Sequence, residues 1–456
     1  MKKLISLVLI LSFALTYLAS CNIGEGSSPS STSTLNGVSL SSFSIIYSDE
    51  DADYSARAAE YIKDEILART GLTLPILEDS EGSGEYEIVV GETEREISQR
   101  LDADTEGVQF AILAEDKSIA IEGDYFVIAA AAYYFISTYV PRNNFDAEIP
   151  LEATVHEPIV KEANNFILLI GDGMGVYQST LYEALEDKSP YSDGESSFYG
   201  YYLPSLGFAR TDSLSGTTDS AAAGTALACG IKTLNSHVGV DSSLAEVQSI
   251  TELAASLGKS TAVMSTEAST GATPSAFSAH SDSRSNSADI LKDQDKMTED
   301  FGTIINCAYD YYGRGGVGII ENNITWTLDE LQKNENGFFL MYEEAHIDKH
   351  CHASDIESAF LALIRFNQAI GRFMEYAFYN PDTLVIITAD HETGGLHPGE
   401  DGRYHLEGTD HTSADVPVFA YGLGSEFFNG KTIENTEIPK QIASLMGVSN
   451  FGATAE

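Results

Sequence analysis

The second two thirds of the chain is marked by unbroken apolar and β-branched runs: FILLIGDG, KSTAVMST, GFFLMYE, TLVIITADH and VPVFAYG. A strand covered on both faces reads as such a run, so these predict strands of a buried parallel sheet. Helical spacing lies between them, over residues 220–229 and about 354–379. Strands alternating with helices predict an α/β fold, doubly wound, with a mostly parallel sheet. The stretch from about 286 to 335 is polar and predicts an irregular peripheral insertion. Ahead of this, SFSIIYS, YEIVVGE, VQFAIL and SIAIEG predict short strands, with helices over 53–69 and about 126–139. These make residues 38–158 a small N-terminal α+β domain, and Pro141 and the stretch before Pro158 mark its boundary with a larger domain, 159–456.

The amino terminus has a different pattern. Lys2 and Lys3 precede an apolar run over residues 4–19, too short and wrongly flanked for a stable span, so residues 1–20 predict a signal peptide. The run ends in Leu18-Ala19-Ser20-Cys21, which resembles the bacterial lipobox. That resemblance implies cleavage before Cys21 and lipidation of its thiol, hence an extracytoplasmic, membrane-anchored bacterial lipoprotein at the cell surface or in the periplasm. Residues 21–37 then predict a flexible Ser/Thr/Gly-rich tether. Cys229, Cys307 and Cys351 are too few and too scattered for a disulfide framework.

Charge narrows the function. Lys and Arg total 25 against 69 Asp and Glu, a formal charge of -44. Such a surface repels nucleic acid, and it repels phosphate too, so a phosphate site here requires strong local positive charge. Metal ions are the obvious source. In open α/β sheets, ligands bind beyond the carboxyl ends of the strands. Those ends supply Asp172, then Glu343 with Asp348 and His352 just after, then Asp390-His391, while His411 lies just ahead of VPVFAYG. One acid after a strand is more often a turn or a helix cap. Four strand ends supplying His and carboxylate together form a donor set suited to Zn²⁺, with oxygen-only positions suited to Mg²⁺. Asp348 and His352, four residues apart, fall on one helical face. In GTTDSAAAGTALACG, Thr218 or Asp219 caps a helix that starts at Ser220 and stops at Gly230, which places a serine where free N–H groups can cradle phosphate.

IGDGMG, TDSAAAGTA, ATPSAFSAHSDSR, EEAHIDKHCH, TADHETGG and GTDHTSADVPV, in that order, resemble the alkaline phosphatases over roughly residues 164–447. The resemblance implies a metal-dependent phosphomonoesterase that passes through a phosphoserine on Ser220 and releases inorganic phosphate. It implies that Arg284 binds the phosphate with Asp219 beside it, and that Lys349 approaches it through water. Two zinc sites fall on Asp172, Asp390 and His391, and on Asp348, His352 and His411. A magnesium site falls on Asp172, Thr273 and Glu343. One position departs from the family pattern: Gly271 stands where relatives carry an Asp or His two residues before the Thr of the magnesium site. Ser269, Thr270, Glu344 and His346 are the candidates to replace it. Small phosphate monoesters are the implied substrates, and a homodimer is the implied assembly. The N-terminal unit resembles a small domain found ahead of the catalytic domain in carbohydrate-active enzymes, which implies a spacer or glycan contact. The alternatives are a phosphodiesterase of the same superfamily and a catalytically idle glycan-binding surface lipoprotein.

Overall fold

The structure, a computed structural model, describes residues 33–49, 52–101, 105–185, 198–307 and 317–452. The predicted signal peptide, Cys21 and the predicted tether as far as residue 32 lie outside the described residues. The chain divides into two compact units between Ile159 and Val160.

In the first unit a six-stranded sheet runs in the order Ile76–Glu78, Phe43–Tyr47, Tyr86–Val90, Ser118–Glu122, Phe110–Glu115, Thr154–His156. The first four strands are parallel, and the last two pair antiparallel. Helices Ala52–Thr70 and Ile128–Tyr139 pack on each other and on this sheet. The tether predicted through residue 37 stops earlier. Thr34–Leu35 pairs with Val38–Ser39 across Asn36-Gly37, both residues having positive φ, and Leu35 is buried. Asn-Gly is the preferred dipeptide for such a tight hairpin, so this stretch is folded.

The second unit is built on eight strands: β1 Asn165–Gly171, β2 Ser205–Arg210, β3 Ser260–Ser265, β4 Ile304–Cys307, β5 Phe338–Glu344, β6 Thr383–Thr388, β7 Val416–Tyr421 and β8 Thr432–Glu434. Their order is β4-β3-β5-β1-β6-β7-β2-β8. All neighbours are parallel except at β7, which is antiparallel to both β6 and β2. The central strands are buried along their whole length, as their unbroken apolar runs require. The helices that matter for the site are α1 Val176–Leu185, α2 Ser220–Cys229, α3 Ala272–Ala276, α4 Ser287–Phe301, α5 Val317–Leu331, α6 His346–His352 and α7 Ile356–Tyr379. Helix α7 lays Leu363, Phe366, Ile370 and Phe373 against the sheet, all of them buried.

Two sequence expectations need correction. VPVFAYG is a strand of the sheet but runs against its neighbours, because an apolar run records burial and not direction. Residues 286–335 are no irregular insertion: they form α4, edge strand β4 and α5, which extend the sheet by one strand. Only Ile290, Gln294 and Met297 of α4 are buried, and β4 is half-buried, so the stretch is polar because it covers an edge.

Candidate active site

The parallel strands end at one rim, and the reversal of β7 brings its amino end to the same rim. That is why His411, which precedes β7, meets residues that follow β1, β5 and β6. At the end of β1 the chain turns through Gly173, at φ +77. A Cβ there would sit 2.8 Å from the Asp348 Cα and Cβ, so the glycine allows α6 to approach. The Asp348 N–H donates to the Asp172 carbonyl at 2.9 Å, which locks the two acidic segments together.

Helix α2 is capped as its sequence dictates. Asp219 Oδ1 accepts from Ala222 N–H at 3.0 Å, and Gly230 ends the helix at φ +70. This places Ser220, buried, at the helix start with its Oγ 3.2 Å from His391 Nε2. The other Asp219 oxygen accepts from Ser236 N–H at 2.9 Å and lies 3.6 Å from Arg284 Nη1, which remains about 39% exposed.

His352 and His411 lie side by side with their Nε2 atoms 3.0 Å apart, and these sit 3.2 and 3.4 Å from Asp348 Oδ1. The Nδ1 of His411 donates to the Thr218 carbonyl at 2.9 Å, and that of His352 donates to the Thr409 carbonyl. Carbonyls only accept, so both protons are on Nδ1 and both Nε2 atoms face each other as acceptors unless a second proton binds. Donor atoms around a tetrahedral zinc at about 2.0–2.1 Å are themselves roughly 3.3 Å apart, which is this spacing. In the metal-free chain a proton is the competitor for the place: the Asp348 hydrogen bond lifts His352 to about 9, against the effect of burial. Burial opposes the charge of Asp348, yet the hydrogen bonds from His352 and His411 outweigh it and hold its carboxyl well below the usual range.

The second cluster is drier. Asp172, Asp390 and His391 are all buried, with His391 Nε2 3.2 Å from Asp390 Oδ2 and 3.5 Å from Asp172 Oδ1. Asp390 Oδ1 accepts from the N–H groups of Gly173 and His391, but Oδ2 has no hydrogen-bond partner, nor does Asp172 Oδ1. Thr393 donates to Asp348 Oδ1 at 2.5 Å, so its oxygen can accept from His391 Nδ1–H at 3.3 Å. His391 therefore turns an unprotonated Nε2 toward the two bare carboxylate oxygens. Burial pushes the His391 pKa down, and burial together with Asp390 and Asp348 pushes that of Asp172 well up. Bare buried carboxylate oxygens cost several kcal/mol each unless paired, about the penalty expected for an unpaired buried ion. A divalent cation removes that penalty.

Thr273 Oγ1 and Glu343 Oε1 are likewise buried without a hydrogen-bond partner. Thr273 lies on α3, which packs tightly on α2: a Cβ at Gly224 would lie 3.3 Å from the Thr273 Cα and 3.1 Å from the Ala276 Cβ. Orphaned oxygens on Asp172, Asp390, Thr273 and Glu343 are the donor set that hard or borderline cations need, so these residues fit the metals that the sequence implies.

Of the sequence-predicted residues, the structure thus groups Asp172, Asp390 and His391, groups Asp348, His352 and His411, and sets Ser220 beside His391 and Asp219 beside Arg284; Lys349 follows Asp348 in α6. Its Nζ is 2.5 Å from Glu267 Oε2. Glu267 and Thr393 were not anticipated, although Glu267 follows β3 at the same kind of strand end as Asp172, and Thr393 lies inside TADHETGG. Of the candidates to replace a side chain at Gly271, Glu344 keeps its Oε2 buried without a hydrogen-bond partner, while its Oε1 and His346 are tied to other groups. Glu344 Oε1 accepts from Thr266 at 3.1 Å and from Arg365 at 3.2 Å, and lies 3.2 Å from His346 Nδ1. Arg365 and His346 overcome burial and hold Glu344 at about 2. Cys229, Cys307 and Cys351 are free thiols, and burial raises Cys351 to about 12.

The alkaline phosphatase family model matches residues 163–307 and 320–407, just over half the chain. Alkaline phosphatase 4 of Bacillus subtilis is 30% identical over 65% of this chain and 73% of its own. Alkaline phosphatase 3 of the same organism is 28% identical over 62% of this chain and 88% of its own. Among solved structures, alkaline phosphatase from the Antarctic bacterium TAB5 superposes with a TM-score of 0.56 at 27% identity, covering 63% of this chain and 99% of that one. A variant of the TAB5 enzyme, with magnesium bound in what is termed its M3 site, matches with a TM-score of 0.54 at 26% identity, over 64% of this chain and 99% of that one. With the metal-binding residues gathered at the rim, these matches make the chain a member of the alkaline phosphatase family and a phosphatase.

Proposed function

We propose that the chain hydrolyses small phosphate monoesters through a phosphoserine on Ser220 and releases inorganic phosphate. The observation that carries this reading is the set of bare, buried oxygens of Asp172, Asp390, Thr273 and Glu343, together with a buried serine at a helix start beside His391. The donor sets support two zinc ions, one on Asp172, Asp390 and His391 and one on Asp348, His352 and His411. A magnesium ion is assigned to Asp172, Thr273 and Glu343, in line with the magnesium named for the TAB5 variant. When bound, these cations supply the positive charge that ionises a serine hydroxyl and neutralises a departing alkoxide.

The chain's own residues do the rest. Asp219 holds the Arg284 guanidinium over the start of α2, where its planar N–H groups can pair with two nonbridging phosphate oxygens. The first N–H groups of α2 point the same way and favour the anion. Ser220 Oγ attacks phosphorus as the ester P–O bond breaks. Water then attacks the phosphoserine, breaks its P–O bond, and returns the Ser220 hydroxyl with free phosphate. Lys349 adds a second cationic side chain beside the phosphate. Its location outside the cytoplasm on a lipid attached at Cys21, its homodimeric assembly and a glycan contact by the first unit are proposed from sequence alone.

The test compares an aryl phosphate, an aryl phosphodiester and an aryl sulfate, with and without chelator. Chelator-sensitive hydrolysis of the monoester above the other two is expected, and Ser220→Ala should lower it by at least about a thousandfold at unchanged metal content. Normal turnover by that variant would sink the assignment, while preference for the diester would favour a phosphodiesterase.

A further inference from the structure

Gly271 is the N-cap of α3, at φ -58 and ψ 158. This is ordinary backbone that any residue adopts, so conformation does not call for glycine. Nor does capping, since glycine gives α3 no side-chain cap where Ser or Asp would. Space does. A Cβ built on Gly271 would overlap Oε1 and Cδ of Glu267 outright. The carboxylate of Glu267 fills the volume into which a side chain at 271 would project.

The neighbours of that carboxylate belong to the rim. Its Oε2 pairs with Lys349 Nζ at 2.5 Å. The Glu267 N–H donates to Ser265 Oγ at 3.0 Å, and that hydroxyl donates to Glu343 Oε2 at 2.5 Å, so one serine ties the two glutamates together. Glu343 Oε1 and Thr273 Oγ1, both fully buried, remain without a hydrogen-bond partner. Glu267 is thus joined through Ser265 to Glu343, an assigned carboxylate ligand of the third cation.

We propose that Glu267 supplies to the third cation the acidic group that position 271 would otherwise carry, and that Gly271 is a glycine to make room for it. The carboxylate comes from the end of β3 and not from the cap of α3, and through the Lys349 pair it also positions the lysine beside the phosphate. Glu267 is a positioning residue in this role. The inference rests on the three-cation reading above, and the test separates the two.

Zinc-loaded protein is titrated with magnesium by equilibrium dialysis, with zinc and magnesium counted by elemental analysis, for wild type, Glu267→Gln, Gly271→Asp and the exchange variant Glu267→Ala/Gly271→Asp. Glu267→Gln should weaken magnesium binding by about 10- to 100-fold at unchanged zinc content, the range for losing a group that orients a metal's ligands. Gly271→Asp alone, which drives two carboxylates into one volume, should weaken it as well. The exchange variant, which moves the carboxylate from one position to the other, should recover most of the loss. Wild-type magnesium affinity in Glu267→Gln would overturn the proposal, as would an exchange variant no better than Glu267→Gln. Wild-type protein that holds two zinc ions and takes up no magnesium would overturn the third cation itself.

Discussion

Asp219 shows how one side chain carries separable duties. It caps α2 through Oδ1, while Oδ2 holds Ser236 N–H and faces Arg284. Asparagine caps a helix about as well as aspartate, so Asp219→Asn should change stability by no more than about 0.5 kcal/mol. It removes the charge that orders a half-exposed guanidinium. Inhibition by inorganic phosphate should therefore weaken roughly tenfold, which corresponds to about 1.4 kcal/mol. Thermal midpoints and phosphate inhibition constants of the two proteins check both halves. Most of the site was legible at this scale because strand ends, a cap and a Gly stop are local signals. Glu267 and Thr393 were not, since what they do depends on where Gly271 and Asp348 lie in space. No spacing along the chain records that a carboxylate fills the volume above a glycine four residues away.

At the scale of elements, α2 and α3 set the site. Residues 220–229 form the helix that their sequence predicts, because the Asp cap, the alanine run and Gly230 all act within a few residues. Gly224 in its middle costs about 1 kcal/mol of helix propensity relative to alanine, and close packing against Thr273 and Ala276 explains it. Gly224→Val should push the two helices apart and cost about 1–3 kcal/mol, the usual range for overpacking a tight contact. A denaturant midpoint measures this, and loss of magnesium without loss of zinc should accompany it. Elements whose identity depends on a distant partner were the illegible ones. Nothing in Ile304–Cys307 announces that it joins the edge of β3, and nothing in VPVFAYG announces that it runs backwards. The direction of β7 nevertheless decides that His411 arrives at the rim.

For the whole molecule, the rim is a store of charge whose sign of effect depends on metal. In the chelated protein His352 has its pKa lifted to about 9, from about 6.5 when unfolded. A raised folded-state pKa gives stability that is full below the unfolded value and is lost as pH rises through the folded one. The carboxyls of Asp172 and Glu343, also raised, contribute in the same direction above the usual carboxylate range. Asp348 and Glu344, held low, titrate below this window. Metal-free protein should therefore lose thermal stability between about pH 6.5 and 9, whereas metal-loaded protein, in which cations replace those protons, should not. Calorimetry with and without chelator across that range checks it, and a chelated protein that gains stability toward pH 9 would contradict it.

The backward course of β7 also has a consequence for biosynthesis. Asp172 emerges early and His411 close to the end, and the proposed second zinc position is complete only when the strand after His411 can lie against β6. A chain truncated anywhere between the two lacks His411, one of the three residues proposed for that position. Such a fragment should therefore bind one zinc ion fewer than the full chain, which zinc counting on a truncated chain would check.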